Sequence, residues 1–136
     1  MEIYLVIPEH TNDTNQLFNQ CKELFSRQKE KVFIRSSFNE RCISYAREIA
    51  LWIGVNFDVN HSLIADKEKI EYFSERSFWP TYFIEIIVAE KEVVQLVAKL
   101  IDPDGDFDNI PVNTLFRLKD VFPKEEDDEE DEIPHI

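Results

Sequence analysis

Arg41 is the side chain best placed for chemistry in this chain. It lies four residues past the Ser36–Ser37 pair, where an extended run turns into an amphipathic one. A guanidinium there offers a planar fork of donors suited to a carboxylate or a phosphoryl group. The three histidines, His10, His61 and His135, are too scattered for a metal signature. Asp102, Asp104, Asp106 and Asp108 invite a calcium reading. The stretch has no glycine at the sixth place of an EF-hand loop and no glutamate at the twelfth, so an acidic turn is the better reading. Cys21 and Cys42 lack metal-type spacing and fall on the apolar sides of predicted helices. They read as buried thiols of a reducing compartment, and the cytoplasm is the expected location.

The elements that hold these residues follow from periodicity. Glu2 to Ile7 is a short apolar run stopped by Pro8, a buried strand. Leu17, Phe18, Cys21, Leu24 and Phe25 recur at helical spacing, which predicts a helix over residues 13 to 28. Lys31 to Arg35 is a second strand. Cys42, Ile43, Ala46, Ile49, Ala50 and Ile53 form one stripe, and Gly54 supplies the helix stop. Val55 to Val59 is extended, and Asp66 caps a short charged helix through Phe73. SERSFWP reads as a loop, with Phe78 and Trp79 either an exposed contact patch or a plug. Tyr82 to Ala89 is the strongest strand, apolar enough to be covered on both faces. Glu92 to Ile101 is a helix, the Asp-rich stretch a turn, and Val112 to Leu118 a last strand.

This alternation predicts an α/β three-layer sandwich with a mostly parallel central sheet flanked by helices. In such sheets ligands sit beyond the carboxyl ends of the strands. The loops after Ile7, Arg35 and Ala89 are therefore the ones to watch.

The 136 residues suit one domain, and 43% hydrophobic content with eleven Phe provides a core. Residues 1–123 read as the packed body and 124–136 as an acidic tail. The unbroken acids Glu125 to Glu132 account for eight of the net thirteen negative charges, which leaves −5 on the rest. Such a charge disfavours nucleic acid and anionic lipid, and no apolar stretch is long enough to span a bilayer. The opening MEIYLVIPEH has no basic n-region and reads as a strand, not a signal peptide.

Three segments together resemble the histidine phosphatase superfamily, the phosphoglycerate mutase-like fold. IYLVIPEHT is similar to that family's first strand and Arg-His-Gly loop. IRSSFNERCISYAREIALWIG is similar to its Ser-Ser-Pro-Leu-x-Arg-Ala signature, helix and glycine. IIVAEKEVVQLVAKLI resembles its late strand, His-Gly turn and helix, and IPVNTLFRL its closing strand. The register holds over nearly the whole body, with the middle insertion cut short. The resemblance implies a compact version of that fold. It also implies a pocket where one histidine attacks phosphorus while two arginines and a second histidine hold the oxygens.

Position by position, the implied pocket is degenerate. The first arginine falls on Ile7, the nucleophilic histidine on Pro8, the glycine on Glu9 and the second histidine on Glu90; only Arg41 is kept. The family's acid falls near Ala65, one place from Asp66. A carboxylate about 4 Å from a phosphate charge costs roughly 4 kcal/mol at an effective dielectric near 20. Arg41 is expected to pair with Glu9 or Glu90 and close the pocket. His10 could be a relocated nucleophile, but a two-residue shift moves an imidazole by several Å, so a solvated loop residue is the better reading. No cofactor is implied. The reading is a catalytically inactive histidine-phosphatase-like protein acting as a binding or regulatory module. Its partner would be a protein, a basic one if the tail takes part. The alternatives are a phosphatase or phosphotransferase rebuilt on His10, Glu9 and Arg41, and a small acidic inhibitor or immunity-type protein.

Overall fold

A computed structural model describes residues 2–9, 14–77 and 83–118, with the side chains of 76 and 77 excepted. His10, Phe78, Trp79, Phe122, Pro123 and the acidic run lie outside these residues. The elements are β1 (Glu2–Val6), α1 (Asn15–Phe25), a 3-10 helix (Ser26–Lys31), β2 (Val32–Ser36), α2 (Glu40–Ile53), β3 (Asp58–Val59), α3 (Lys67–Ser77), β4 (Ile84–Val88), α4 (Lys91–Ile101) and β5 (Phe116–Leu118).

The five strands form one mixed sheet in the order β3-β2-β4-β1-β5. The first four are mutually parallel, and β5 runs antiparallel along β1. Side-chain alternation splits the core in two. Tyr4, Val6, Ile34, Ile84, Ile86 and Val88 face Phe18, Cys21 and Phe25 of α1 and Ala46, Ile49 and Ile53 of α2. Ile3, Leu5, Ile7, Ile87 and Ala89 face Ile70 and Phe73 of α3 and Val93, Val94 and Val97 of α4. Among the described residues, this α/β arrangement of four α-helices about a five-stranded sheet is compatible with a three-layer sandwich. β4 is buried along its whole length between β2 and β1, which explains why its run is apolar apart from Glu85.

Local chemistry sets the boundaries. Asn39 caps α2, its Oδ1 accepting from the backbone N–H groups of Arg41 (3.0 Å) and Cys42 (3.1 Å). Gly54 ends the same helix at φ +94°, a conformation that costs a side chain strain. Asp66 begins α3 by accepting from the N–H of Glu68 at 3.0 Å.

Of the boundaries that differ from the periodicity, three stand out. The first helix stops at Phe25 rather than reaching 28, because SRQKEK has no apolar residue to bury and tightens into a 3-10 turn with Gln28 off helical angles. α3 continues past Phe73 to Ser77, into the stretch read as loop. The last strand begins at Phe116, not Val112, because Asn113 takes a left-handed conformation at φ +54°. That kink serves the loop after β1.

Candidate functional site

The chain steps across the sheet in one direction through β1, β2 and β3, then returns through β4 to β5. The helices that follow β1 and β2 cover one face and those that follow β3 and β4 the other. The connections leaving β1, β2 and β4 therefore diverge at their carboxyl ends, and a crevice opens there.

Backbone bonds first tie the three loops together. The N–H of Ala89 donates to the carbonyl of Val6 (3.1 Å), and that of Ser37 donates to Val88 (3.0 Å). The loop after β1 is clamped by Asn113. Its backbone N–H donates to Ile7 O (2.9 Å), its Oδ1 accepts from the N–H of Glu9 (3.0 Å), and its Nδ2 donates to Glu9 O (3.3 Å). The Tyr45 hydroxyl, on α2, lies 2.8 Å from both Glu9 O and Asn113 Oδ1, so its one proton is shared between them. The left-handed Asn113 is what aims its amide back at Glu9.

The resulting cleft, about 730 Å³, is lined by Pro8 from the first loop and Glu90 from the third. The second loop and α2 supply Asn39, Glu40, Arg41, Cys42, Ser44 and Arg47. Three positions of the implied phosphate pocket, Pro8, Arg41 and Glu90, thus share one cleft although they are far apart in sequence. Ile7 does not join them; it is buried in the core beneath, with Leu63 and Ala89. Glu9 is exposed and engaged through its backbone, and its side chain does not line the cleft. Ala65 is exposed and Asp66 is occupied as the α3 cap, so neither serves the cleft.

The expected closed ion pair is not formed. Glu90 Oε1 accepts a hydrogen bond from the Ser37 hydroxyl at 2.9 Å, and Arg41 comes within 4 Å of neither Glu90 nor Glu9. Asn39 holds the first turn of α2 by its backbone, which leaves the Arg41 side chain exposed to solvent. Among the described residues both ion pairs belong to Arg35 instead, with Asp58 at 3.2 Å and with Glu85 at 2.9 Å.

Cys42 offers no nucleophile. Burial foremost pushes its thiol up to about 11, against a hydrogen bond from Ser37 that lowers it, with lesser effects of the Glu90 charge upward and the Arg41 charge downward. Burial likewise raises the Tyr45 phenol, so it stays a neutral donor. No group of three or more potential metal ligands gathers among the described residues, and no described helix is long and apolar enough to cross a membrane.

Sequence reasoning placed Pro8, Arg41 and Glu90 but missed Arg47, Ser37 as the partner of Glu90, and the Tyr45–Asn113 clamp. Arg41, Ser44 and Arg47 recur every third residue, a spacing that walks along one side of a helix and could have flagged the second arginine. No family model, no curated protein and no solved structure matches this chain.

Proposed function

We propose that the chain is a catalytically inactive histidine-phosphatase-like protein that acts as a binding or regulatory module. The observation that carries this reading is the meeting of Pro8, Arg41 and Glu90 in one cleft beyond the carboxyl ends of β1, β2 and β4. In the family the chain resembles, these places hold the attacking histidine, a phosphate-holding arginine and a second histidine. Proline brings no nucleophile. Glu90 brings a negative charge that Ser37 fixes without neutralising, since a hydroxyl donates a hydrogen bond but carries no charge. Phosphoryl transfer depends on charge stabilisation around an anionic group, and this cleft has exchanged part of that for repulsion. What remains is an open, charged cavity fit for binding.

The test is direct. A panel of phosphoesters should show no turnover above background, and titration with inorganic phosphate or vanadate should show no saturation in the micromolar range. Hydrolysis that disappears in Arg41→Ala or His10→Ala would reverse the reading in favour of a rebuilt enzyme.

A further inference from the structure

We propose that the cleft takes a small zwitterion, a molecule carrying an ammonium and a carboxylate such as a free amino acid. This goes beyond the inactive-module reading and rests on it, since it requires that the cleft bind rather than catalyse. The cleft has two unlike walls. The β4–α4 corner presents Glu90, whose Oε1 is held by Ser37 and whose second oxygen takes no hydrogen bond from any described residue. Glu90 stands at the N-cap of α4, but its carboxylate makes no capping bond to that helix. The α2 wall presents Arg41 and Arg47, both exposed and neither within 4 Å of a carboxylate of the described residues, beside a single acid, Glu40, so its net charge is positive.

Charge complementarity then selects the ligand. A simple anion drawn to the arginines meets Glu90, and a simple cation drawn to Glu90 meets two guanidinium groups. A molecule with both groups answers both walls at once: its ammonium donates to Glu90, and its carboxylate accepts from Arg41 in the two-point geometry arginine favours. The hydroxyl of Ser44 adds a neutral donor on the arginine side. The buried side chains of Pro8 and Cys42 give the cavity an apolar base. Its size falls within the range of about 300–1,000 Å³ usual for small-molecule sites.

The experiment is a titration of the full chain, followed by backbone amide shifts, with each of the twenty L-amino acids. Acetate, methylammonium and inorganic phosphate serve as single-sign controls. The expected result is saturable binding of at least one amino acid, centred on Ser37, Arg41 and Glu90, and at least tenfold tighter than acetate or methylammonium. Glu90→Gln, which keeps an acceptor for Ser37, should weaken that binding about tenfold, and Arg41→Gln should do the same. Arg41 is exposed and unpaired among the described residues, so its variant remains informative if the Glu90 variant folds poorly. Saturable binding of no amino acid, or acetate binding as tightly as the best one, would overturn the proposal and leave the inactive reading standing. Micromolar binding of phosphate would instead sink both.

Discussion

Glu85 should make this protein less stable as pH rises through neutrality, the reverse of the usual behaviour of a carboxylate. The side chain is fully buried on β4, beside Phe33 of β2 in the sheet register. It accepts one hydrogen bond, from Arg35 Nε at 2.9 Å onto Oε2, and Oε1 has no partner among the described residues. Arg35 is itself divided, since its other end reaches Asp58 at 3.2 Å and its guanidinium lies over the Phe33 ring. Loss of hydration outweighs this shared cation, so burial pushes the Glu85 carboxyl up from its ordinary value of 4.5 to about 7, with Arg35 pulling down and Asp58 adding a smaller push upward.

The sign follows from proton counting. Between about 4.5 and about 7 the folded protein keeps a proton that the unfolded chain has released, so raising the pH favours unfolding. The contribution is fully present below about 4.5 and is lost as pH rises through about 7. An interval of that width corresponds to about 3 kcal/mol. With a urea dependence on the order of 1.5–2 kcal/mol per molar for a domain this size, the unfolding midpoint should fall by roughly 1.5–2 M from this residue alone. The assay is urea unfolding by circular dichroism at pH 5, 6, 7 and 8, on the wild type and on Glu85→Gln. Other titrating groups are common to both proteins, so the difference between the two isolates Glu85. The wild type should lose ground to the variant steadily as pH rises. Parallel pH profiles would refute the reasoning, and a wild type that gains on the variant with rising pH would show that Arg35 outweighs burial.

Two further outcomes follow from the site. Asn113→Ala should destabilise by about 3 kcal/mol, since it loses the bonds to Glu9 and strains a left-handed backbone, whereas Asn113→Gly keeps that backbone and should cost about half as much by the same unfolding assay. Cys42, pushed up to about 11, and Cys21, pushed by burial to about 12, should react with a thiol reagent at pH 8 at least about a hundredfold more slowly in the native protein than after denaturation.

What the sequence revealed and what it hid divide along the range of the interactions. α2 was readable because its stripe and its glycine stop lie within fifteen residues of one another. β4 was readable as a covered strand from its apolar run, but Glu85 within that run was not. Its partner Arg35 is fifty positions away, and only the parallel register of β2 with β4 puts the two on one face. The same distance hid the bond from Ser37 to Glu90, fifty-three positions apart. Asn113 misled in the opposite way. Val112 to Leu118 looks extended by composition, and the left-handed turn that breaks it exists to serve a loop more than a hundred residues earlier.

The unformed pair between Arg41 and Glu90 changes the physical basis of the proposed inactivity. A closed ion pair would have excluded phosphate by filling the cavity. With the pair open, exclusion rests on Glu90 itself, held in place by a hydroxyl that supplies no positive charge. A carboxylate fixed in that way costs an incoming dianion more than one free to swing aside, because the hydrogen bond must be broken before the charge can retreat. Arg41 meanwhile keeps its donors free of any described carboxylate. The cleft therefore combines the fixed negative charge of Glu90 with an α2 side on which Arg41 and Arg47 outnumber Glu40. Under the proposed reading that combination turns a vanished phosphate cradle into a selective one, because a ligand must offer charges of both signs to gain from both walls.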